Sequence, residues 1–400
     1  MWVRALGRQA GERSGANGRP LALLASHPHL PTLSISFLSL SLLSTGITRY
    51  TPNTGTAPLR AAIAAKLASE NGLTQYTAAD IVVSNGAKQA IWQALLAACN
   101  PGDEVLIPAP YWVSYPEMAR LAGAEPVILP STAEGGFLLT PDALAAALTP
   151  ASRLLILCTP SNPSGAVYSR AQLEALAAVV AAHPRLLVLS DEIYEYIVYP
   201  PHEHVSFGSL PGMAGRTLTV NGFSKAYAMT GWRLGYLAAP APYAGAASVI
   251  QSQSTSGASS IAQHAGLAAL VELGAHGGAP VAAMVAAFQE RRDIVCARLR
   301  SLPGVRLPTD PAGAFYALFD VSALVGPGAA AKDFGPVPDV DALCRYFVEK
   351  AGVALVPGDA FGAPTCVRLS YAAGLDTLGA ALDRLEVALG ADVYTPAGGK

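Results

Sequence analysis

What this sequence has little of narrows its chemistry first. Only five cysteines occur in 400 residues, Cys99, Cys158, Cys296, Cys344 and Cys366, and they form neither a CxxC pair nor a set with zinc-ligand spacing. That argues against a thiolate metal site, points to a reducing compartment, and makes each cysteine a small buried hydrophobe by expectation. Charge is sparse as well: 14% of residues are charged, the formal net charge is -2, and no run of Lys and Arg occurs. The chain therefore carries no broad electrostatic footprint for nucleic acid, and small molecules are its expected partners. Long apolar runs are missing too. The most lipid-like stretch, Leu33 to Thr45, interleaves Leu, Ile and Phe with Ser34, Ser36, Ser39, Ser41 and Ser44, too short and too polar to span a bilayer. It also lies too far from Met1 for an ordinary secretory signal.

What is present is apolar surface in quantity, 52% hydrophobic residues with much alanine, enough to fill a large core. A chain of this length is expected to divide into a large lobe and a smaller one. From about Ile47, apolar runs of strand length alternate with alanine-rich helical stretches, the pattern of an α/β domain with a mostly parallel sheet flanked by helices. Strands are expected at Ile81 to Val83, Glu104 to Ile107, Leu154 to Cys158, Leu186 to Leu189, Thr217 to Val220 and Leu234 to Ala238. The expected organisation is a large domain over residues 46–275, then an interdomain helix and a smaller α+β domain over 276–400. Ala282 to Leu302 supplies the long helix, whose arginines Arg291, Arg292, Arg298 and Arg300 are read as lining solvated faces. Ala314 to Asp320 reads as a strand, Gly326 to Pro338 as a loop rich in Gly and Pro, and Leu375 to Leu389 as a final helix.

Five of the expected strands run into polar or glycine-containing sequence: SNGAK, PAPYW, TPSNPSG, SDEIY and NGFSK. In open α/β sheets, ligands collect outside the carboxyl ends of strands, so these segments are expected to line one pocket although they lie far apart in sequence. At Gly86, Ala87 and Lys88 a tight turn opens a helix, and the free N–H groups of such a start favour an anion. Lys225, beside Ser224 and eight positions before Arg233, becomes a nucleophile once partly desolvated near other cations. Each signal has an ordinary alternative: surface placement for Lys225 and Arg368, a helix N-cap for Asp191, core packing for Trp112, a plain connection for the glycine turn.

Taken in chain order, these segments resemble the class I and II aminotransferases of fold type I, and the resemblance runs from about Gly46 to Gly390. It implies pyridoxal phosphate as cofactor. NGFSKAYAMTGWR resembles the family's lysine signature, with Lys225 as the catalytic residue carrying the cofactor as a Schiff base and Arg233 holding its phosphate. SDEIYE implies Asp191 on the ring nitrogen and Tyr194 on the ring hydroxyl; SNPSG implies Asn162 donating to the ring oxygen. Trp112 would stack on the ring, and Tyr50 in TRYTPNTG would reach the phosphate bound by a neighbouring subunit, which implies a homodimer with shared sites. Gly86, Ala87, Lys88 and Ser224 complete the cofactor set. For substrate the resemblance implies Arg368 on the α-carboxylate, with Trp112 and Asn162 beside it.

Several stretches, VSNGAKQA and LTVNGFSKAYAMTGWRLGY among them, are similar to the plastid subgroup that transaminates aspartate and prephenate, in which Lys88 would receive the distal carboxylate. Amino acids and 2-oxo acids are the implied partners, with no nucleic acid, membrane or metal. Other chemistry of the same cofactor (elimination, decarboxylation, cyclopropane synthesis) and a binding protein without catalysis are the rival readings. The departure lies before Gly46. Residues 1–45 lack the family's glycine loop, and Arg4, Arg8, Arg13 and Arg19 against Glu12 alone give an acid-poor balance. The segment is read as transit-like, with a chloroplast address expected ahead of a mitochondrial or cytoplasmic one, or as a wrongly assigned start.

Overall fold

The computed structural model describes residues 47–397, so the readings made on residues 1–45 lie outside it. Helix α1 (Ala57–Asn71) has proline in its first turn, where the missing N–H costs nothing, and ends at Gly72 in the left-handed region. Strand β1 (Ile81–Ser84) then leads through the glycine turn into α2 (Ala87–Ala98). There follow β2 (Glu104–Pro108), α3 (Ser114–Leu121), β3 (Glu125–Leu129), α4 (Pro141–Ala147), β4 (Ser152–Cys158) and α5 (Arg170–Ala182). Strands β5 (Leu187–Asp191), β6 (Thr217–Gly222) and β7 (Gly235–Ala238) complete a seven-stranded sheet in the order β1-β7-β6-β5-β4-β2-β3.

Neighbours from β6 to β3 are parallel; β7 alone runs against both of its partners, β1 and β6. Two reversals cancel, so β1 points the same way as β6. The five strand ends singled out in the sequence therefore open on one edge of the sheet. Helices cover both faces, which is why the central strands are apolar without alternation. Leu154 and Ile156 of β4 join one buried cluster with Ile91 and Leu95 of α2, while Leu155 and Leu157 join another with Leu173 and Leu176 of α5. Edge strand β3 was not read from the sequence: Glu125 and Pro126 break its apolar pattern, a composition tolerated only at a sheet edge.

Helices α6 (Ala241–Ser252), α7 (Ser260–Glu272) and α8 (Gly278–Ser301) come next. Among the described residues no single helix is long and apolar enough to cross a membrane. The arginines of α8 are not all solvated, as the sequence reading had them. Arg292 is mostly buried, 4.6 Å from the Tyr199 ring, and donates to the Pro311 carbonyl; Arg298 donates to Asp383 and Glu386. Beyond it β8 (Tyr316–Asp320), the two-residue strands β9 (Ala330–Ala331) and β10 (Gly335–Pro336), α9 (Val340–Tyr346), β11 (Val356–Pro357), β12 (Cys366–Ser370), α10 (Leu375–Ala388) and β13 (Tyr394–Thr395) build two small antiparallel sheets. The stretch read as a loop, Gly326 to Pro338, thus holds a short hairpin. Their core also takes in Ile193, Tyr194, Ile197 and Tyr199, the chain that leaves β5.

Behind β5 lies a buried polar knot. Lys66 of α1 forms an ion pair with Glu195 and donates to Asn71 Oδ1 at 2.7 Å, and Asn71 Nδ2 donates to Glu195 at 2.7 Å and to Ser206 at 2.9 Å. Removing one member of such a pair strands a buried charge, a loss of about 3–5 kcal/mol. Chemical denaturation of Lys66→Met should show a loss of that size, and a midpoint like that of the native chain would mean that Glu195 finds another partner.

Candidate active site

The strand ends and β12 enclose a cavity of about 380 Å³. Ala87, Lys88, Trp112, Asn162, Asp191, Tyr194, Ser224, Lys225, Arg233 and Arg368 all line it. Gly86 forms the turn behind Ala87. Tyr50 stands apart, fully exposed and outside the cavity of its own chain.

At one end the cavity is built for an anion. Gly86 caps α2 with φ 87 and offers no side-chain cap, so the Ala87 and Lys88 N–H groups are left for an anion, while that of Gln89 donates back to the Gly86 carbonyl at 3.1 Å. The Arg233 guanidinium lies directly over this turn: a Cβ on Gly86 would come within 2.6 Å of Arg233 Nη2. Arg233 takes a left-handed conformation (φ 49, ψ 56), uncommon for a residue with a side chain, and is steadied by donation from Nη1 to the Thr230 carbonyl at 3.1 Å. Gly235, paired with Gly222 across β6 and β7, lets this happen; a Cβ there would lie 2.5 Å from the Ala87 nitrogen.

At the other end sits an acid. Asp191 closes β5 at 3% exposure. Its Oδ2 accepts from the Tyr115 hydroxyl at 2.6 Å and its Oδ1 from the Ile193 N–H at 3.3 Å. Burial pushes its carboxyl up to about 6, against the pull of those two donors and of Lys225. No helix starts after Asp191, which removes the N-cap alternative.

Between the two ends, Lys225 follows β6 with its Nζ 5.7 Å from the Tyr194 ring centre and 5.5 Å from that of Phe315. Burial holds its ammonium below the usual lysine range; Asp191 opposes this, while Arg233 and Arg368 reinforce it. A depressed pKa frees the amine as nucleophile and base. The Tyr194 hydroxyl pairs with that of Tyr316 at 3.0 Å.

Arg368, in register with Leu318 on β8, is gripped between the rings of Tyr316 and Phe361, 4.7 Å from each. Its Nη1 donates to Asn162 Oδ1 at 2.8 Å and its Nε has no partner. Opposite, Lys88 projects 4.8 Å over the Trp112 ring, and Trp112 meets Tyr115 edge-on at 5.4 Å. Trp112 is only half-buried and faces the cavity, so it does more than pack the core.

Sequence reasoning missed Tyr115, Tyr316 and Cys158 in the lining. Tyr115 had a signal, lying three residues after Trp112 at the start of a helix, a spacing that puts both on one side. Tyr316 had none, since only the β8–β12 pairing brings it in. Cys158 departs from the expectation of a fully buried thiol, being half-buried on the wall; burial pushes it up to about 12, and the other four cysteines are buried and unpaired.

An open helix start with an arginine above it, an amine, an aromatic plane and a buried carboxylate suit one phosphorylated, nitrogen-containing ring. Residues 32–385 match the family described as aminotransferase class I and II, so the likeness begins ahead of Gly46. The chain is 58% identical over 92% of its length to a bifunctional aspartate aminotransferase and glutamate/aspartate-prephenate aminotransferase of Petunia hybrida, covering 76% of that protein. It is 42% identical over 96% of its length to an aspartate/prephenate aminotransferase of Cereibacter sphaeroides, covering 94% of it. Among solved structures, the aspartate aminotransferase of Rhizobium meliloti matches with a TM-score of 0.85 at 40% identity, over 91% of this chain and 88% of that one. The aspartate aminotransferase of Thermus thermophilus with maleate matches at 0.80 and 39%, over 89% and 87%. Sequence, fold and site converge, and the chain belongs to the class I and II aminotransferases, enzymes that use pyridoxal phosphate.

Proposed function

We propose that this aminotransferase moves an amino group between aspartate or glutamate and a 2-oxo acid such as oxaloacetate, 2-oxoglutarate or prephenate, the last giving arogenate. The observation that carries the reading is the pair of cations on the substrate side, Arg368 beside Asn162 and Lys88 over Trp112, which suits a substrate with two carboxylates. The names of the Petunia and Cereibacter relatives support it, as does maleate, itself a dicarboxylate, in the Thermus relative.

Arg233 and the turn at Gly86, Ala87 and Lys88 would hold the cofactor phosphate, with Ser224 beside them; Asp191 would face the ring nitrogen, Tyr194 and Asn162 the ring oxygen, and Trp112 the ring plane. When bound, pyridoxal phosphate supplies a conjugated ring that accepts the electron pair released from the substrate's Cα. Lys225 would hold the cofactor covalently between turnovers and then use Nζ to take the α-proton, a task suited to an amine freed by burial from its usual charge. Arg368 would bind the α-carboxylate through its unpaired Nε and the fork it forms with Nη2. Lys88 would meet the distal carboxylate. Aromatic walls at Trp112, Tyr316 and Phe361 keep these charges apart and exclude water.

The exposed Tyr50 is read as serving the cavity of a second copy, in a homodimer with shared sites. The acid-poor leader with Arg4, Arg8, Arg13 and Arg19 supports a plastid location.

Incubation of aspartate or glutamate with prephenate should yield arogenate; release of pyruvate and ammonia from the donor instead would favour elimination. Lys225→Ala should lose kcat by about 10²–10⁴-fold or more, the worth of general acid–base catalysis, and the covalent cofactor absorbance with it. Lys88→Ala should cut kcat/KM for dicarboxylic substrates by about 10- to 100-fold, one hydrogen bond to a charged group, and leave neutral amino acids nearly unaffected. Tyr50→Phe should weaken cofactor retention in a species that sediments as a dimer, and a monomer of full activity would rule out shared sites.

A further inference from the structure

Asp191 is a carboxylate with almost no water to solvate it, and its surroundings hold few donors. Backbone supplies one, the Ile193 N–H at 3.3 Å on Oδ1. The side-chain donor is the Tyr115 hydroxyl at 2.6 Å on Oδ2. Tyr115 is itself 2% exposed, at the start of α3, and its ring is packed edge-on by Trp112. The hydroxyl's other neighbour is the Cys158 thiol, a weak hydrogen-bonding partner beside a carboxylate.

We infer that Tyr115 is a positioning residue: by donating to Asp191 Oδ2 it keeps that carboxylate ionised and leaves Oδ1 as the oxygen presented to the ring nitrogen of bound pyridoxal phosphate. This rests on the reading of Asp191 given above. The physical reason is competition for one proton. A ring nitrogen and a buried carboxylate share a proton as a charged pair only while the carboxylate is the weaker base, and a hydrogen bond to the carboxylate makes it so. Without the Tyr115 donor, desolvation of Asp191 is opposed only by the longer Ile193 N–H bond and by Lys225, and the shared proton moves to the carboxylate. The ring nitrogen is then left neutral. The same packing links the cavity's two functions, because Trp112, which carries the Lys88 ammonium on its face, also holds the Tyr115 ring in place.

The test uses holoenzyme reconstituted with pyridoxal phosphate labelled with ¹⁵N in the ring, whose chemical shift reports protonation of that nitrogen. Y115F should move the signal toward the unprotonated value and lower kcat about 10- to 100-fold, the effect of one hydrogen bond to a charged group, with KM for the amino donor little changed. D191N should move the signal fully, and Y115F/D191N should add nothing to D191N, as expected if the tyrosine acts through the aspartate. Replacing Tyr115 with 3-fluorotyrosine, a stronger donor of nearly the same volume, should keep the signal at the protonated value and so separates the hydrogen bond from packing. A Y115F signal that stays protonated while D191N shifts overturns the inference about Tyr115 alone, as does a 3-fluorotyrosine signal that follows Y115F. A D191N signal that does not move overturns the reading of Asp191 and this inference with it.

Discussion

A carboxylate buried at the end of β5 is the constraint around which the rest of the cavity is arranged. Taking Asp191 out of water is costly, and its carboxyl rises to about 6 even with two donors on it. The cavity answers with cations at a distance rather than in contact. Lys225, Arg233 and Arg368 share the space with it, and burial lowers the Lys225 amine and the Arg368 guanidinium, the opposite sense to its effect on the acid. A raised acid and a depressed amine in one cavity are the pattern expected of a functional site.

The backbone makes this possible at a few points of close approach. Gly235 and Gly86 have no side chain because the backbone at the α2 start and the Arg233 guanidinium, respectively, occupy that space. Opposite them, Arg368 rides on a small antiparallel sheet, and the chain leaving β5 packs its Ile193 and Tyr194 into that sheet's core. The two halves of the cavity are therefore covalently and sterically tied. The polar knot of Lys66, Asn71 and Glu195 sits behind the same segment, four residues on from Asp191, and anchors it from the rear.

Much of this was legible before any coordinates. The six strand candidates fall on observed strands because β1, β2 and β4 to β7 are buried on both faces and so read as apolar runs. Edge strand β3 was lost because half of it faces water, and the β9–β10 hairpin because two-residue strands carry no pattern. Arg292 was misread as solvated since nothing in the helix sequence distinguishes it from its neighbour Arg291 or hints that Tyr199 will come to lie under it. Most of the lining residues found in advance sat in strand-end motifs; Arg233 and Arg368, which lie outside them, came from the family resemblance. Tyr316 and Phe361 sat in none, and they cradle Arg368 through pairings between β8, β12 and the turn before it.

The order of chemical groups along the chain, an amine after one strand, an acid after another and a glycine turn before a helix, was enough to establish the sheet, the pocket and the family. Motif spacing encodes these because each group rides on the end of its own local element. Which oxygen of Asp191 is covered, what lies beneath the guanidinium of Arg368, and how far Lys88 stands from it are matters of tertiary structure alone. Those contacts join residues separated by tens to hundreds of positions, and the distances among them exist only after the sheets have paired.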